Sequence, residues 1–340
     1  MKSKRQLNRN EIERLPSPAV MRAIRGFAFE QSSFYFDGYY GSRLAPELAR
    51  RFKISQQQVS VGYGAEFFLR ALFDGCDPKK DVVLANNPHY SFYSAYAKTK
   101  HVRLAVSELL DRGDRFALDR KDFLKKIKKL RPKVILITSP NNPTGNSTPP
   151  KDLEAILRAA PKTTLVTLDE AYWGFDENYN EAAVLRLLKK YENFVVLRSF
   201  SKRYALAGLR IGFALWGKRA KEIVRYEDPY LGGSRLLEEA AVAALNSEPY
   251  YAKLSRELIA DRKRFIADVN KLHAFKAYAS NANFVLVKVE KGIVLALEKR
   301  LKKLDVAISK FVTPEFMRVS LGSRMYIADF VKALRAVDIK

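Results

Sequence analysis

The 340-residue chain has one cysteine, Cys76, so it can form no intrachain disulfide. That fits a reducing compartment, and a buried structural thiol is the expected role. Histidine is nearly absent. His89, His101 and His273 are scattered and no pair has the spacing of metal ligands, so no metal site is expected. No apolar run is long enough to cross a bilayer. The basic N-terminus is not followed by the apolar stretch of a secretory signal. These lacks point to a cytoplasmic protein. Acidic residues are few: 37 Asp and Glu stand against 61 Lys and Arg, a formal charge of +24. Such an excess attracts anions of every kind, from phosphorylated metabolites to nucleic acid and acidic membrane. Much of it lies in runs such as Lys125-Lys126-Ile127-Lys128-Lys129. Their apolar companions Phe123, Leu124, Ile127 and Leu130 recur at helical spacing, the pattern of an amphipathic helix with a solvated face. No nucleic-acid motif accompanies the charge.

What the chain does have is 47% hydrophobic residues, enough for a large core, and a length that suggests two domains. From about residue 59, β-rich runs alternate with helical patterns. Val82–Ala85, Val134–Thr138, Leu165–Leu168, Val195–Leu197 and Ile211–Leu215 are nearly continuous apolar runs, as in strands buried on both faces. Helical segments are expected near Phe92–Ala97, Asp119–Leu130, Asp152–Ala160 and Ala182–Lys190. The alternation predicts an α/β fold with a mainly parallel sheet flanked by helices. After about Glu227 the pattern changes. Helices over Leu236–Leu245 and Tyr250–Leu272 lead to strands Phe284–Val289 and Met317–Leu321, separated by a helix over Ile293–Lys303, with a last helix near Ile327–Val337. This reads as an arm over 1–25, a large domain over 26–228 and a smaller α+β domain over 229–340.

In open α/β folds ligands bind beyond the carboxyl ends of the strands, so the residues that follow each strand carry the functional reading. Val61-Gly62-Tyr63-Gly64-Ala65-Glu66 opens a helix and could leave backbone N–H groups open to a phosphate; a plain strand–turn–helix junction would look the same. Ser139-Pro140-Asn141-Asn142-Pro143-Thr144-Gly145 is a rigid loop after a strand, with an amide placed to reach a ligand, or an ordinary turn. Asp169-Glu170-Ala171-Tyr172 offers a carboxylate that could pair with a protonated ring nitrogen, or a helix cap. Arg198-Ser199-Phe200-Ser201-Lys202, followed by Arg210, offers a lysine whose pKa neighbouring cations could lower, or one more surface lysine. Together they make the inventory of a pyridoxal-phosphate (PLP) site.

In that order these motifs resemble the fold-type I, aspartate aminotransferase-like PLP enzymes, and most of all the histidinol-phosphate aminotransferases, from Asn10-Glu11 to Arg318. The resemblance implies PLP as cofactor, with Lys202 as Schiff-base lysine and general acid/base. It implies Asp169 opposite the pyridinium nitrogen and Asn142 and Tyr172 at the phenolic oxygen. Gly64, Ala65, Ser199, Ser201 and Arg210 would hold the phosphate, and Tyr90 would stack on the ring. Tyr35, followed by Phe36 where relatives have proline, matches a tyrosine that reaches the phosphate of a neighbouring subunit, which implies a homodimer. Arg318 and Asn10 would bind substrate.

Two departures bear on that substrate. Relatives that take histidinol phosphate carry a second arginine where this chain has Ser309; Lys310 beside it lacks the planar fork of a guanidinium. The segment before Asn10-Glu11 is also short, and Glu13 replaces a proline. The expected activity is a ping-pong transamination that moves an amino group from an amino acid, glutamate, to an anionic oxo substrate. Two alternatives stand beside it: a PLP-dependent decarboxylase of a phosphorylated amino acid on the same site, and a nucleic-acid-binding protein on an inactive PLP fold.

Overall fold

The computed structural model describes residues 5–33, 43–220, 234–311 and 314–338. The N-terminal third contributes β1 (Arg5–Leu7), α1 (Pro18–Arg25), α2 (Leu44–Phe52), β2 (Val59–Gly62), α3 (Ala65–Asp74), β3 (Val82–Asn87), α4 (Ser91–Thr99), β4 (Arg103–Asp111) and β5 (Phe116–Leu118). Next come α5 (Arg120–Leu130), β6 (Val134–Thr138), α6 (Pro150–Ala159), β7 (Leu165–Asp169), α7 (Glu181–Lys190), β8 (Phe194–Ser199) and β9 (Gly212–Trp216). The remainder holds α8 (Arg235–Leu245), α9 (Glu248–Val269), β10 (Phe275–Ala277), β11 (Phe284–Val289), α10 (Val294–Lys303), β12 (Val306–Phe311), β13 (Phe316–Ser320) and α11 (Arg324–Arg335).

Eight strands form one sheet in the order β2-β9-β8-β7-β6-β3-β4-β5. The run from β8 to β4 is parallel. The mainly parallel sheet expected from the apolar runs is therefore present, with two antiparallel strands: the short β5 beside β4 and β9, as apolar as its neighbours, beside β8. Apolarity reports burial on both faces, not strand direction. Successive side chains along these strands fill two different cores. Ile135 and Ile137 face the helices α5–α7, while Val134 and Leu136 face α3 and α4. Phe194 and Val196 alternate with Val195 and Leu197 in the same way. This period-two split is why the strands read as unbroken apolar runs. On α5, Phe123 and Ile127 are buried and Lys125, Lys128 and Lys129 are exposed, as the helical spacing predicts.

The second sheet has the order β1-β12-β13-β11-β10 and its own core of Val285, Val287, Val319, Phe330 and their neighbours. The sequence pattern predicts β11 and β13, and the family resemblance the stretch of β12 around Ser309, but neither predicts β10 or β1. The N-terminal arm is thus no free tail. Arg5–Leu7 pairs parallel with Val306–Ile308 at the edge of the C-terminal sheet. Residues 8–13 then cross to the large sheet, and α1, capped by the Ser17 hydroxyl and led by Pro18, packs against α8. The expected domain boundary at 228/229 lies outside the described residues.

Candidate active site

A cavity of about 410 Å³ opens beyond the carboxyl ends of the parallel strands, between the two sheets. Strand register brings its floor together: Thr138 at the end of β6 lies beside Asp169 at the end of β7, which lies beside Leu197 of β8. The loops after these strands, the first turns of α3, Arg318 of β13 and the N-terminal strap, Asn8–Glu11, complete the wall.

Asp169 is 3% exposed. Its Oδ1 accepts the Ala171 backbone N–H at 3.0 Å and its Oδ2 accepts the Tyr93 hydroxyl at 2.9 Å. Tyr93 in turn lies 2.8 Å from the Thr138 hydroxyl. No helix starts at Asp169, so it is not a cap. Burial pushes its pKa up to about 6, against the two hydrogen bonds, which favour the anion. A buried carboxylate in that condition is stabilised by a cationic N–H placed opposite it. Glu170 faces away from the cavity, 2.8 Å from the fully buried guanidinium of Arg198, which stacks between Trp173 and Phe52. Its role is structural.

Lys202 stands across the cavity. Its Nζ donates to the Arg9 carbonyl at 2.8 Å and lies 5.9 Å from the centre of the Tyr172 ring. Burial first, then the charges of Arg318 and Arg210, pull its pKa down to about 8, with Glu11 opposing them. An amine near neutrality can act as a nucleophile and as a proton carrier. It is no ordinary surface lysine.

The Tyr172 hydroxyl accepts from Asn142 Nδ2 at 3.2 Å and from Asn10 Nδ2 at 3.0 Å. Asn142 Oδ1 accepts from Arg318 Nη1 at 2.6 Å. Arg318 Nη2 donates to the Asn8 carbonyl and, at 3.2 Å, to the Ser309 hydroxyl. Ser309, register partner of Arg318 across β12 and β13, donates to the same Asn8 carbonyl at 2.8 Å. The position where relatives were expected to carry a second arginine therefore ties down the strap instead.

At the opposite end, α3 starts at Gly64 without the side-chain cap that Asp119 gives α5 and Asn180 gives α7. Its first N–H groups are open to an anion. Gly64 has φ +78°, and a Cβ there would lie 3.1 Å from Arg210 Nη2. Arg210 Nη1 donates to the Ser201 hydroxyl at 3.3 Å, and Ser199 lines the same end. Gly212 has no room for a Cβ either, since it would lie 2.5 Å from the Gly64 carbonyl carbon.

Of the residues singled out from sequence, Asn10, Ala65, Tyr90, Asn142, Asp169, Tyr172, Ser199, Ser201, Lys202, Arg210 and Arg318 all line this one cavity, and Gly64 immediately precedes the lining residue Ala65. Tyr35 lies outside the described residues. Asn10 reaches the cavity, but both ends of its amide are already engaged, on Tyr172 and on Ser320. His89 is set behind the wall, stacked on Tyr93 with Nε2 2.8 Å from Ser94 Oγ. Sequence reasoning missed Tyr93, Thr138 and the strap residues Asn8 and Arg9, and gave Glu11 a place in the family motif but no role at the site.

Residues 2–334 match the family described as aminotransferase class I and II, so the chain belongs to that family. It is a PLP-dependent aminotransferase of the histidinol-phosphate aminotransferase type. It is 32% identical over 298 residues to histidinol-phosphate aminotransferase 2 of Archaeoglobus fulgidus, covering 87% of this chain and 82% of that one. It is 30% identical to histidinol-phosphate aminotransferase 2 of Gluconobacter oxydans, over 98% and 91% of the two chains. Among solved structures, histidinol-phosphate aminotransferase from Sinorhizobium meliloti in complex with pyridoxal-5'-phosphate superposes with a TM-score of 0.85 at 24% identity, over 98% and 90% of the two chains. No helix among the described residues is long and apolar enough to cross a membrane.

Proposed function

We propose that the cavity binds PLP through Lys202, Asp169, Tyr172, Asn142, Tyr90, Ser199, Ser201, Arg210 and the α3 N-terminus at Gly64 and Ala65. We propose further that the chain transfers the amino group of L-glutamate to an anionic oxo acceptor. The observation that carries this reading is the convergence on one cavity of a depressed-pKa lysine, a buried carboxylate and an uncapped helix start beside an arginine. Each suits one part of the cofactor. Asp169 suits a pyridinium N–H, the α3 start with Arg210 and the two serines suits a phosphate dianion, and Tyr172 suits the phenolic oxygen.

When bound, PLP supplies an electron sink for the bond broken at the substrate Cα. The protein's own groups do the rest. Lys202, whose pKa of about 8 leaves a usable fraction unprotonated at physiological pH, carries the proton to and from the reacting carbon. Asp169 holds the ring nitrogen protonated. Arg318, already oriented by Asn142 and Ser309, presents its guanidinium to the substrate carboxylate. Asn10 and Arg318 stand on the substrate side, and the +24 charge draws anionic substrates toward it. The proposed assembly is a homodimer in the cytoplasm, with Tyr35 serving the neighbouring site. Histidinol phosphate is the substrate of the named relatives. The use of Ser309 to hold Asn8 favours a donor and acceptor without a phosphate that needs a second guanidinium.

The test is the absorbance of the protein with PLP before and after L-glutamate, with Lys202→Ala as control. A band that converts to the amine form with glutamate, and that Lys202→Ala never develops, supports the reading. Histidinol phosphate added as an alternative donor then decides the substrate. Release of CO₂ with no amine form of the cofactor would replace transamination by decarboxylation.

A further inference from the structure

The hydrogen-bond directions around Tyr172 can be assigned one atom at a time. Arg318 carries only donors, so Asn142 must turn Oδ1 toward its Nη1, which leaves Nδ2 as the atom 3.2 Å from the Tyr172 oxygen. Asn10 is oriented independently. The Ser320 hydroxyl accepts the Asn10 backbone N–H at 2.8 Å and is 1% exposed, so its own hydrogen needs an acceptor. Asn10 Oδ1 answers it at 3.0 Å, and Asn10 Nδ2 is then the atom 3.0 Å from the Tyr172 oxygen. Turning the Asn10 amide over would strand the buried Ser320 hydrogen. Two N–H donors thus fill both acceptor positions of the phenol. Neither amide then offers the Tyr172 hydrogen an acceptor, and Tyr172 lines the cavity, where a ligand oxygen can take it.

We propose that Asn10 is a positioning residue: donating to Tyr172 alongside Asn142, it makes the Tyr172 hydroxyl an obligatory donor toward the cofactor's ring oxygen. The proposal rests on the reading that Tyr172 faces that oxygen. It assigns Asn10 a task other than substrate contact, and it makes the N-terminal strap part of the acid–base apparatus. The strap is well held for this. Asn10 is 1% exposed and sits at φ +54°, a region asparagine tolerates better than most residues. Its carbonyl accepts Asn283 Nδ2 at 3.0 Å, and the preceding carbonyl accepts Lys202 Nζ. The same short segment therefore touches both the proton carrier and the phenol that tunes it.

A hydrogen donated to the ring oxygen stabilises its negative charge, and that charge otherwise retains the proton on the nearby Lys202 nitrogen. Weaker donation by Tyr172 must raise the pH at which this proton leaves. The holoenzyme reports that pH directly as the midpoint of the bound cofactor's visible absorbance, with no substrate present. Asn10→Ala removes one constraint and should raise the midpoint by about 0.7 pH units, the equivalent of one hydrogen bond. Asn10→Asp, of the same shape but acceptor-only, should raise it further by drawing the Tyr172 hydrogen away from the cavity. Ser320→Ala, which releases the Asn10 amide without touching Tyr172, should shift it in the same direction. In a Tyr172→Phe background, itself shifted upward, Asn10→Ala should add nothing. Cofactor affinity, measured alongside, separates a lost site from a retuned one. If Tyr172→Phe leaves the midpoint unmoved, the placement of Tyr172 at the ring oxygen fails. If Tyr172→Phe moves it while the Asn10 variants bind cofactor at the wild-type midpoint, or if Asn10→Ala adds its full shift without Tyr172, the role given to Asn10 is overturned.

Discussion

Asp169 imposes a penalty on the cofactor-free protein that can be measured without substrate. Its folded pKa of about 6 lies above the ordinary 3.8. Below the lower value the carboxyl is protonated in both folded and unfolded chains and costs nothing. Between the two values only the unfolded chain releases its proton, so stability falls as pH rises; above the higher value the full penalty stands, about 3 kcal/mol. Asp169→Asn should therefore raise the melting temperature of cofactor-free protein at pH 7, and the gain should shrink as the pH is lowered from 6 to 4. A gain independent of pH would mean that the carboxylate charge is not its source. With PLP and glutamate the same variant should lose activity by roughly 100-fold or more, because the ring nitrogen loses its counter-charge. Asp169, like Lys202 and Asn142, was legible because a recognisable motif brings it to the end of a strand or its following loop, whereas Arg318, in the middle of β13, was legible only through its family motif. Tyr93 was not. It acts through a hydrogen bond to a carboxylate 76 residues away, and a tyrosine on a helix facing a core looks like any other. Asn10 was legible as a position but not as a role, since its partners Tyr172 and Ser320 are 162 and 310 residues distant.

At the scale of elements, the start of α3 is where local conformation and the proposed phosphate binding coincide. Gly64 adopts φ +78°, ψ 174°, a region costing a residue with a side chain about 1–3 kcal/mol. A Cβ would also press on Arg210 Nη2 at 3.1 Å. Gly64→Ala should lower stability by that amount and weaken PLP affinity roughly tenfold or more, read by fluorescence titration, as the phosphate cradle and Arg210 move apart. Lower stability with undiminished PLP affinity would show that the strained turn serves packing alone. The elements that sequence reading found share a property: their burial follows from their own periodicity. The central strands fill two cores and α5 shows one apolar stripe. The elements it missed depend on partners. β1 is Arg-Gln-Leu, which has no strand pattern of its own and exists because β12 offers an edge. β4, near the edge of the large sheet, mixes exposed Arg103, Glu108 and Asp111 with buried Ser107 and Leu109, so its alternation is blurred. α1 is short and, though strongly amphipathic, is preceded by a proline-rich stretch that reads as an extended arm.

At the scale of the whole molecule, the proposed homodimer builds each site from two chains. The proposed phosphate end uses Arg210, two serines and the α3 start from one chain, and Tyr35 is proposed to join it from a second. If so, a variant lacking Lys202 and a variant lacking Tyr35 damage opposite halves of every shared site. In a mixed dimer of Lys202→Ala and Tyr35→Ala subunits, one site combines both lesions and the other combines neither. Equal amounts of the two, dissociated and reassociated at random, give half mixed dimers, each with one intact site of two. The mixture should then recover about a quarter of the wild-type activity, well above either parent. The recovery should depend on mixing before reassociation, and sedimentation should show one species of twice the chain mass throughout. Activity equal to the mean of the two parents would mean that Tyr35 serves its own chain's site or none. A sedimenting mass of one chain would remove the homodimer from the proposal and leave the cavity to be completed by this chain alone.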